Sequence, residues 1–192
     1  MIRFTPSGKE HPQAGSILLS EPFLEDPYFG RKAILLCAHN STGSFGFVLN
    51  NFVDIALGDL MEGWPAMTHR ISVGGPVKNS NLYYLHTHPE IEGSVPIVEG
   101  VCMGGDFDEI KQRVAAGTIA PQDLRFFIGY AGWSPNQLQD EIQSHSWFVT
   151  RMTGQRIMDT TFEEEDLWRH LISEMGEAYA HIANAPSDPS LN

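Results

Sequence analysis

Short apolar runs, each closed by glycine, proline or asparagine, recur along most of this chain and restrict it to folds organised around a sheet. The runs lie near 15–20, 33–38, 44–50, 70–73, 81–86, 95–103, 124–131 and 147–150 and are rich in Ile, Leu, Val, Phe and Tyr, a composition that suits a pleated, packed strand. Helical patterns are fewer. Asp106-Phe-Asp-Glu109 has capping-box spacing and opens a segment that stops at Gly117, because an N-cap carboxylate and the Glu three residues on satisfy free amides while glycine accepts the closing left-handed turn. Ser134-Pro135-Asn136-Gln137 repeats that logic with proline at the first helical position and predicts a helix to about Ser144. After Thr161, acids at 163–166 precede Trp168, Leu171, Ile172, Met175, Tyr179 and Ile182 at steps of three and four, the pattern of an amphipathic helix with a favourable dipole at its start. Gly176 predicts an end or bend in it. A short helical turn is expected around Ala56–Met61. Strands dispersed among few helices, without regular strand–helix alternation, predict an α+β fold with a largely antiparallel sheet.

At 192 residues the chain suits one domain with a substantial core. Residues 1–14 read as a loose arm, 15–184 as the body and 185–192 as a frayed tail. The formal charge is −12, and residues 159–192 carry −7 of it, with eight acids against Arg169. That balance repels polyanions, so direct nucleic-acid binding is not expected, and neither is an anionic membrane surface. No apolar leader and no run long enough to span a bilayer is readable, which predicts a cytoplasmic protein. Cys37 and Cys102 each sit in an apolar stretch and read as reduced, buried residues.

Several residue groups could carry chemistry. His86-Thr-His88 on one strand would project two imidazoles to one face, yet no further ligand pattern accompanies them and no metal or other cofactor is expected. Cys37 and His39 would share a strand face, as a thiolate and its base require, or Cys37 is simply buried. Thr42-Gly-Ser-Phe-Gly46 is one residue short of a nucleophile elbow. Gly74-Gly75-Pro76 after a short strand is either an anion-binding nest or a tight turn. Asn50 and Asn51 end a strand as caps or as pocket groups. Gly129-Tyr-Ala-Gly-Trp133 leads from a strand straight into a capped helix, placing Tyr130 and Trp133 either at a site or in a crowded junction. Glu141 shares a helix face with Gln137.

Taken together, Gly15-Ser-Ile-Leu-Leu-Ser20, Asp26-Pro-Tyr-Phe29, Phe45-Gly-Phe-Val-Leu-Asn50, Gly74-Gly-Pro-Val77, and Gly129-Tyr-Ala-Gly-Trp133 with Gln137-Leu138 and Glu141-Ile142 resemble the signatures of the AlgH/YqgE family of small bacterial proteins. Trp147 and the stretch from Trp168 to Gly176 fit as well, so the likeness spans residues 14–176. Where that family has Glu-His, this chain has Ala38-His39, which removes the acid from any acid–base pair there. The resemblance implies a bent sheet forming a pseudo-barrel with flanking helices. Members are commonly labelled transcriptional regulators through a link to alginate control, but no DNA-binding element or established reaction comes with the resemblance.

These readings converge on a ligand- or protein-binding module with an indirect effect on gene expression. Its expected site gathers Asn50, Gly74, Gly75, Pro76, Tyr130, Trp133 and His39, with an unidentified small molecule or protein as partner. An enzyme acting at the same face is the alternative, and a direct DNA-binding regulator is disfavoured by charge. Oligomeric state is not readable.

Overall fold

A computed structural model describes residues 11–65 and 70–184. The strands are β1 (Ile17–Ser20), β2 (Ala33–Asn40), β3 (Gly43–Val48), β4 (Phe52–Val53), β5 (Ile71–Val73), β6 (Val77–His86), β7 (Ser94–Val98), β8 (Val101–Gly104), β9 (Leu124–Trp133) and β10 (Trp147–Thr150). The helices are α1 (Leu57–Leu60), α2 (Phe107–Ala115), α3 (Gln137–Gln143), α4 (Gly154–Met158), α5 (Glu164–Glu174) and α6 (Glu177–Ala183). The sheet runs β10-β1-β2-β3-β9-β6-β8-β7, with β4 and β5 branching from β9. Only β5 on β9 is parallel among the described pairings. The expected tail at 185–192 and the first ten residues of the expected arm lie outside the described residues.

Both faces of this sheet are buried, each under different cover. Along β1, Ile17 and Leu19 point to one core and Leu18 to another, as a two-residue period requires. The inner face gathers Leu35, Phe47, Leu85, Phe127 and Phe148 beneath Leu167, Trp168, Leu171 and Ile172 of α5 and Tyr179 and Ile182 of α6. The apolar stripe of the C-terminal segment thus packs on its own body. On the outer face, α3 covers Ile34, Leu36, Val48 and Trp147 at one end through Leu138. At the other end α2 covers Leu124 and Phe126 through Ile110 and Val114. Strands buried on both sides read as continuous hydrophobic runs rather than alternating ones, which is why these runs dominate the sequence.

The sheet curls until its ends approach. A side-chain carbon on Gly15, just before β1, would lie 2.8 Å from Val98 of β7, and one on Gly154, after β10, 2.3 Å from the Glu99 carbonyl oxygen. The result is a half-barrel, as the family resemblance implies. A wedge at its centre contributes to the curvature. The β3–β9 ladder runs only from Ser44 opposite Trp133 to Gly46 opposite Ala131, and beyond it the Gly74 backbone sits between the two strands. Gly74 N–H donates to the Ile128 carbonyl at 2.8 Å and its carbonyl accepts from Val48 N–H at 2.9 Å.

Two sequence expectations are corrected in detail, and two short elements are added. The run 95–103 is a hairpin, β7 and β8, turned at Glu99-Gly100 with Gly100 at φ 77. The helix expected to open at Pro135 begins two residues later, at Gln137, because Asn136 adopts φ 67 and interrupts it. Half of the anticipated box still forms, with Ser134 N–H donating to the Gln137 side chain at 2.9 Å. The two-residue β4 and five-residue α4 are too short to show a period. Elsewhere Asp106 caps α2 by accepting from Glu109 N–H at 3.1 Å, and Gly176, at φ 121, separates α5 from α6.

Arg125 of β9 is the one fully buried cationic side chain among the described residues, at 1% exposure. Its guanidinium donates to the carbonyls of Leu49 at 2.5 Å, Asp159 at 3.2 Å and Ile157, and lies 5.4 Å from the Phe127 ring. Burial pushes it down to about 9, so it remains charged at neutral pH. The planar fork joins the end of β3 to the end of α4, and a lysine, with one compact ammonium, cannot reach all three carbonyls. Arg125→Lys should therefore lower the unfolding free energy by about 2–4 kcal/mol, measured by urea denaturation; a change under about 0.5 kcal/mol, the range of a neutral surface substitution, would contradict this role.

Candidate functional site

The inner face of the half-barrel is only partly covered. Where α5 and α6 stop, an aromatic series continues outward from the core. Phe127 of β9 stacks on Phe47 of β3 at 4.6 Å, Phe47 meets Phe45 at 6.1 Å and Tyr83 of β6 at 5.6 Å, and both of these stand nearly perpendicular to Tyr130, at 5.9 and 5.7 Å. Tyr130 would point to the opposite face if β9 alternated without interruption. Gly129, at φ 67, shifts the phase of the strand, so that Phe127 and Tyr130 share the inner face while Ala131 and Trp133 join the outer core. A side-chain carbon there would also stand 2.6 Å from the Gly75 carbonyl oxygen, which leaves glycine as the residue that fits.

Phe45, Tyr83 and Tyr130 form the inner wall of an open cleft of about 720 Å³. Its rim is the β2–β3 hairpin with Asn40, Thr42, Gly43 and Ser44, and the exit of β9 with Gly132, Trp133, Ser134 and Pro135. On the outer side of this exit, where the Trp133 ring packs, stands Glu141 of α3. Its carboxylate accepts from the indole N–H groups of Trp133 at 2.9 Å and Trp147 at 2.7 Å, and from the Gln137 carboxamide at 2.9 Å. Phe29 stacks on Trp133 from the other side, 6.4 Å away. The two outer-face indoles are therefore held by a shared carboxylate, and the inner rings by packing on one another.

The structure brings two of the seven expected site residues, Tyr130 and Trp133, to this cleft and sends the others elsewhere. Asn50 is buried at 1% exposure. Its carboxamide oxygen accepts from Ala33 N–H at 2.8 Å, and its nitrogen donates to the carbonyls of Arg31 at 3.0 Å and Glu164 at 2.7 Å. That side chain joins β2, the end of β3 and the start of α5. Gly74 and Gly75 are buried where the chain crosses β9. A side-chain carbon on Gly75, whose φ is 154, would meet the Tyr130 and Ala131 backbone at 2.2–2.3 Å. Because Gly74 N–H is committed to Ile128, the turn is a close crossing and not an anion nest. Pro76 follows in that crossing and does not line the cleft, though Val77 does.

His39 lies beside the cleft between two of its lining residues, Ala38 and Asn40, with Nδ1 2.7 Å from the Ser44 hydroxyl. It does not share a face with Cys37, because β2 bulges between Leu36 and Ala38. Cys37 is in the inner core, where burial pushes its thiol up, and it cannot serve as a thiolate nucleophile. Sequence reasoning missed Phe45 and Tyr83 as wall residues. Their signal was only alternation in β3 and β6, and which strand faces meet depends on the Gly129 phase shift.

The His86/His88 pair also separates. His86, fully buried, has Nε2 2.8 Å from the Gly104 carbonyl oxygen and accepts at Nδ1 from His88 N–H at 3.2 Å. His88 lies past the end of β6, between Glu90 at 3.2 Å and Asp123 at 3.4 Å. Among the described residues no cluster of three His, Cys, Asp or Glu has metal-binding geometry.

Two measurements check these assignments. Asn50→Ala removes three hydrogen bonds, one of them to the buried Ala33 N–H, and should cost about 3 kcal/mol of stability in chemical denaturation; an unchanged midpoint would place Asn50 outside the scaffold. Burial pulls the His86 pKa below its ordinary value. Below about pH 6.5 the unfolded chain takes up a proton at this residue that the folded one resists, so stability present above that pH is lost as pH falls towards the folded value. Wild type should thus lose stability between pH 7 and 5 more steeply than His86→Gln, and equal slopes would contradict a buried neutral imidazole.

Comparison with known proteins places this geometry in a family. An AlgH-like family model matches residues 17–180. A UPF0301 protein of Bacteroides thetaiotaomicron is 35% identical over 182 residues, covering 94% of this chain and 92% of the relative. A UPF0301 protein of Cytophaga hutchinsonii is 34% identical over 180 residues, covering 93% and 98%. The fold is shared with a crystal structure of a Corynebacterium diphtheriae protein (TM-score 0.75, 22% identity, 91% of this chain and 93% of that one). It is also shared with the solution structure of the AlgH protein from Pseudomonas aeruginosa (TM-score 0.68, 24% identity, 97% and 99%). With the family model matched over most of its length, this chain belongs to the AlgH-like family.

Proposed function

We propose that this protein is a binding module whose ligand enters the cleft of Phe45, Tyr83, Tyr130 and Trp133. The observation that carries the reading is the set of preformed aromatic walls at the uncovered end of an otherwise covered face. The space, about 720 Å³, is within the range of small-molecule sites, which are typically concave, largely apolar and edged by a few polar groups. Serine and threonine hydroxyls and the Asn40 carboxamide supply that edge. An enzyme at this face has less support, since Cys37 is enclosed in the core and Glu141 is committed to two indoles.

An effect on gene expression, on this reading, is exerted through the ligand-bound protein and not by contact with DNA. The chain carries −12, and α5 opens on Glu164, Glu165 and Asp166, a charge that opposes the phosphate contacts on which DNA binding depends. The cytoplasm is the compartment we infer, and no described helix is long and apolar enough to cross a membrane.

A fragment screen followed by the Trp133 indole N–H resonance tests the reading. Binders should shift that resonance, and Tyr130→Leu should weaken them about tenfold, the loss expected for one aromatic contact of ~1.4 kcal/mol. Binders that leave the indole unmoved and tolerate Tyr130→Leu would overturn the assignment of the cleft.

A further inference from the structure

We infer that the cleft selects an organic cation, an alkylated ammonium group seated on its aromatic faces. This rests on the cleft being a ligand site and goes on to its chemistry. None of the residues lining it carries a formal charge, so an anion entering would lose hydration without meeting a counter-charge. A cation meets two favourable fields. The first is the negative face of the rings of Phe45, Tyr83 and Tyr130, the source of cation–π attraction and of ammonium recognition by aromatic cages. The second is the negative charge of α3, where Glu141 holds the outer-face indole of Trp133, a residue of the cleft rim.

Glu141 matters because of what holds it. Its hydrogen-bond donors are two indoles and a carboxamide, all neutral, so none of them supplies a counter-charge. The rest of α3 adds Asp140 and contains no basic residue. Lys78 follows Val77 of the lining, but it is exposed to water, where salt and solvent screen its charge. His39 is hydrogen-bonded to Ser44. The overall charge of −12 adds a long-range field of the same sign. A neutral planar ligand would stack on the same rings but would draw nothing from Glu141 or from that field.

An isosteric series on the intact chain separates these cases. Choline, its neutral carbon isostere 3,3-dimethylbutan-1-ol and the anionic 3,3-dimethylbutanoate are titrated at pH 7 against the Trp133 indole N–H resonance. The expected order is cation, neutral, anion, with choline about tenfold tighter than the alcohol. Glu141→Gln should reduce that preference about threefold by weakening choline alone, with the alcohol unchanged. Equal or tighter binding of the alcohol overturns the cationic class while leaving the cleft as a ligand site. If none of the three moves the indole although screened fragments do, the class is likewise wrong. If no fragment moves it either, the reading of the cleft fails with it. Because the wild-type series needs no variant, the outcome does not depend on how Glu141→Gln folds.

Discussion

The stack of Phe47 on Phe127, ring centroids 4.6 Å apart, is the contact on which the rest of this molecule is arranged. It joins β3 to β9 across the stretch where Gly74 separates their backbones and no direct ladder holds them. On one side it supports the core closed by Trp168, which is fully buried and donates its indole N–H to the Ser20 carbonyl at 3.0 Å. On the other it orients Phe45 and Tyr83, and through them Tyr130. Stability and the cleft therefore draw on one continuous set of rings. Core packing leaves little freedom for such rings to move, so the shape of the cleft is set by the core beneath it.

Burial of both sheet faces decides where a site can lie. Three sets of elements cover the sheet: α5 with α6 inside, α3 at one outer end, and α2 at the other. After the break at Gly176, α6 packs on the same core, where Tyr179 and Ile182 add to the enclosure around Phe148, while Tyr130 stays half-buried at its edge. The acidic C-terminal segment thus has two consequences, one structural through its apolar stripe and one electrostatic through its outward carboxylates.

Much of the fold was legible in the sequence because the strands here are buried on both sides and announce themselves as unbroken apolar runs. Asp106 with Glu109, and Gly176, were readable because caps and breaks are local chemistry. The site was less legible, for a physical reason visible at particular residues. Asn50 and the Gly74-Gly75 pair drew attention as polar and glycine-rich turns, yet they serve a three-element carboxamide bridge and a backbone crossing, both set by tertiary partners as distant in sequence as Glu164. Phe45 and Tyr83 passed as ordinary strand residues, since their meeting with Tyr130 depends on the phase shift at Gly129. Tyr130 and Trp133 were readable as neighbours because the strand-to-helix exit that carries them is itself continuous in sequence.

The central claim is that the outer end of this ring series is the binding surface. Its most direct test is the nuclear Overhauser spectrum of the protein saturated with choline. The account predicts contacts from the N-methyl protons to the ring protons of Tyr83 and Tyr130, with the Trp168 indole unchanged. Contacts confined to other surfaces, or a Trp168 environment that rearranges while the two tyrosines stay silent, would contradict it.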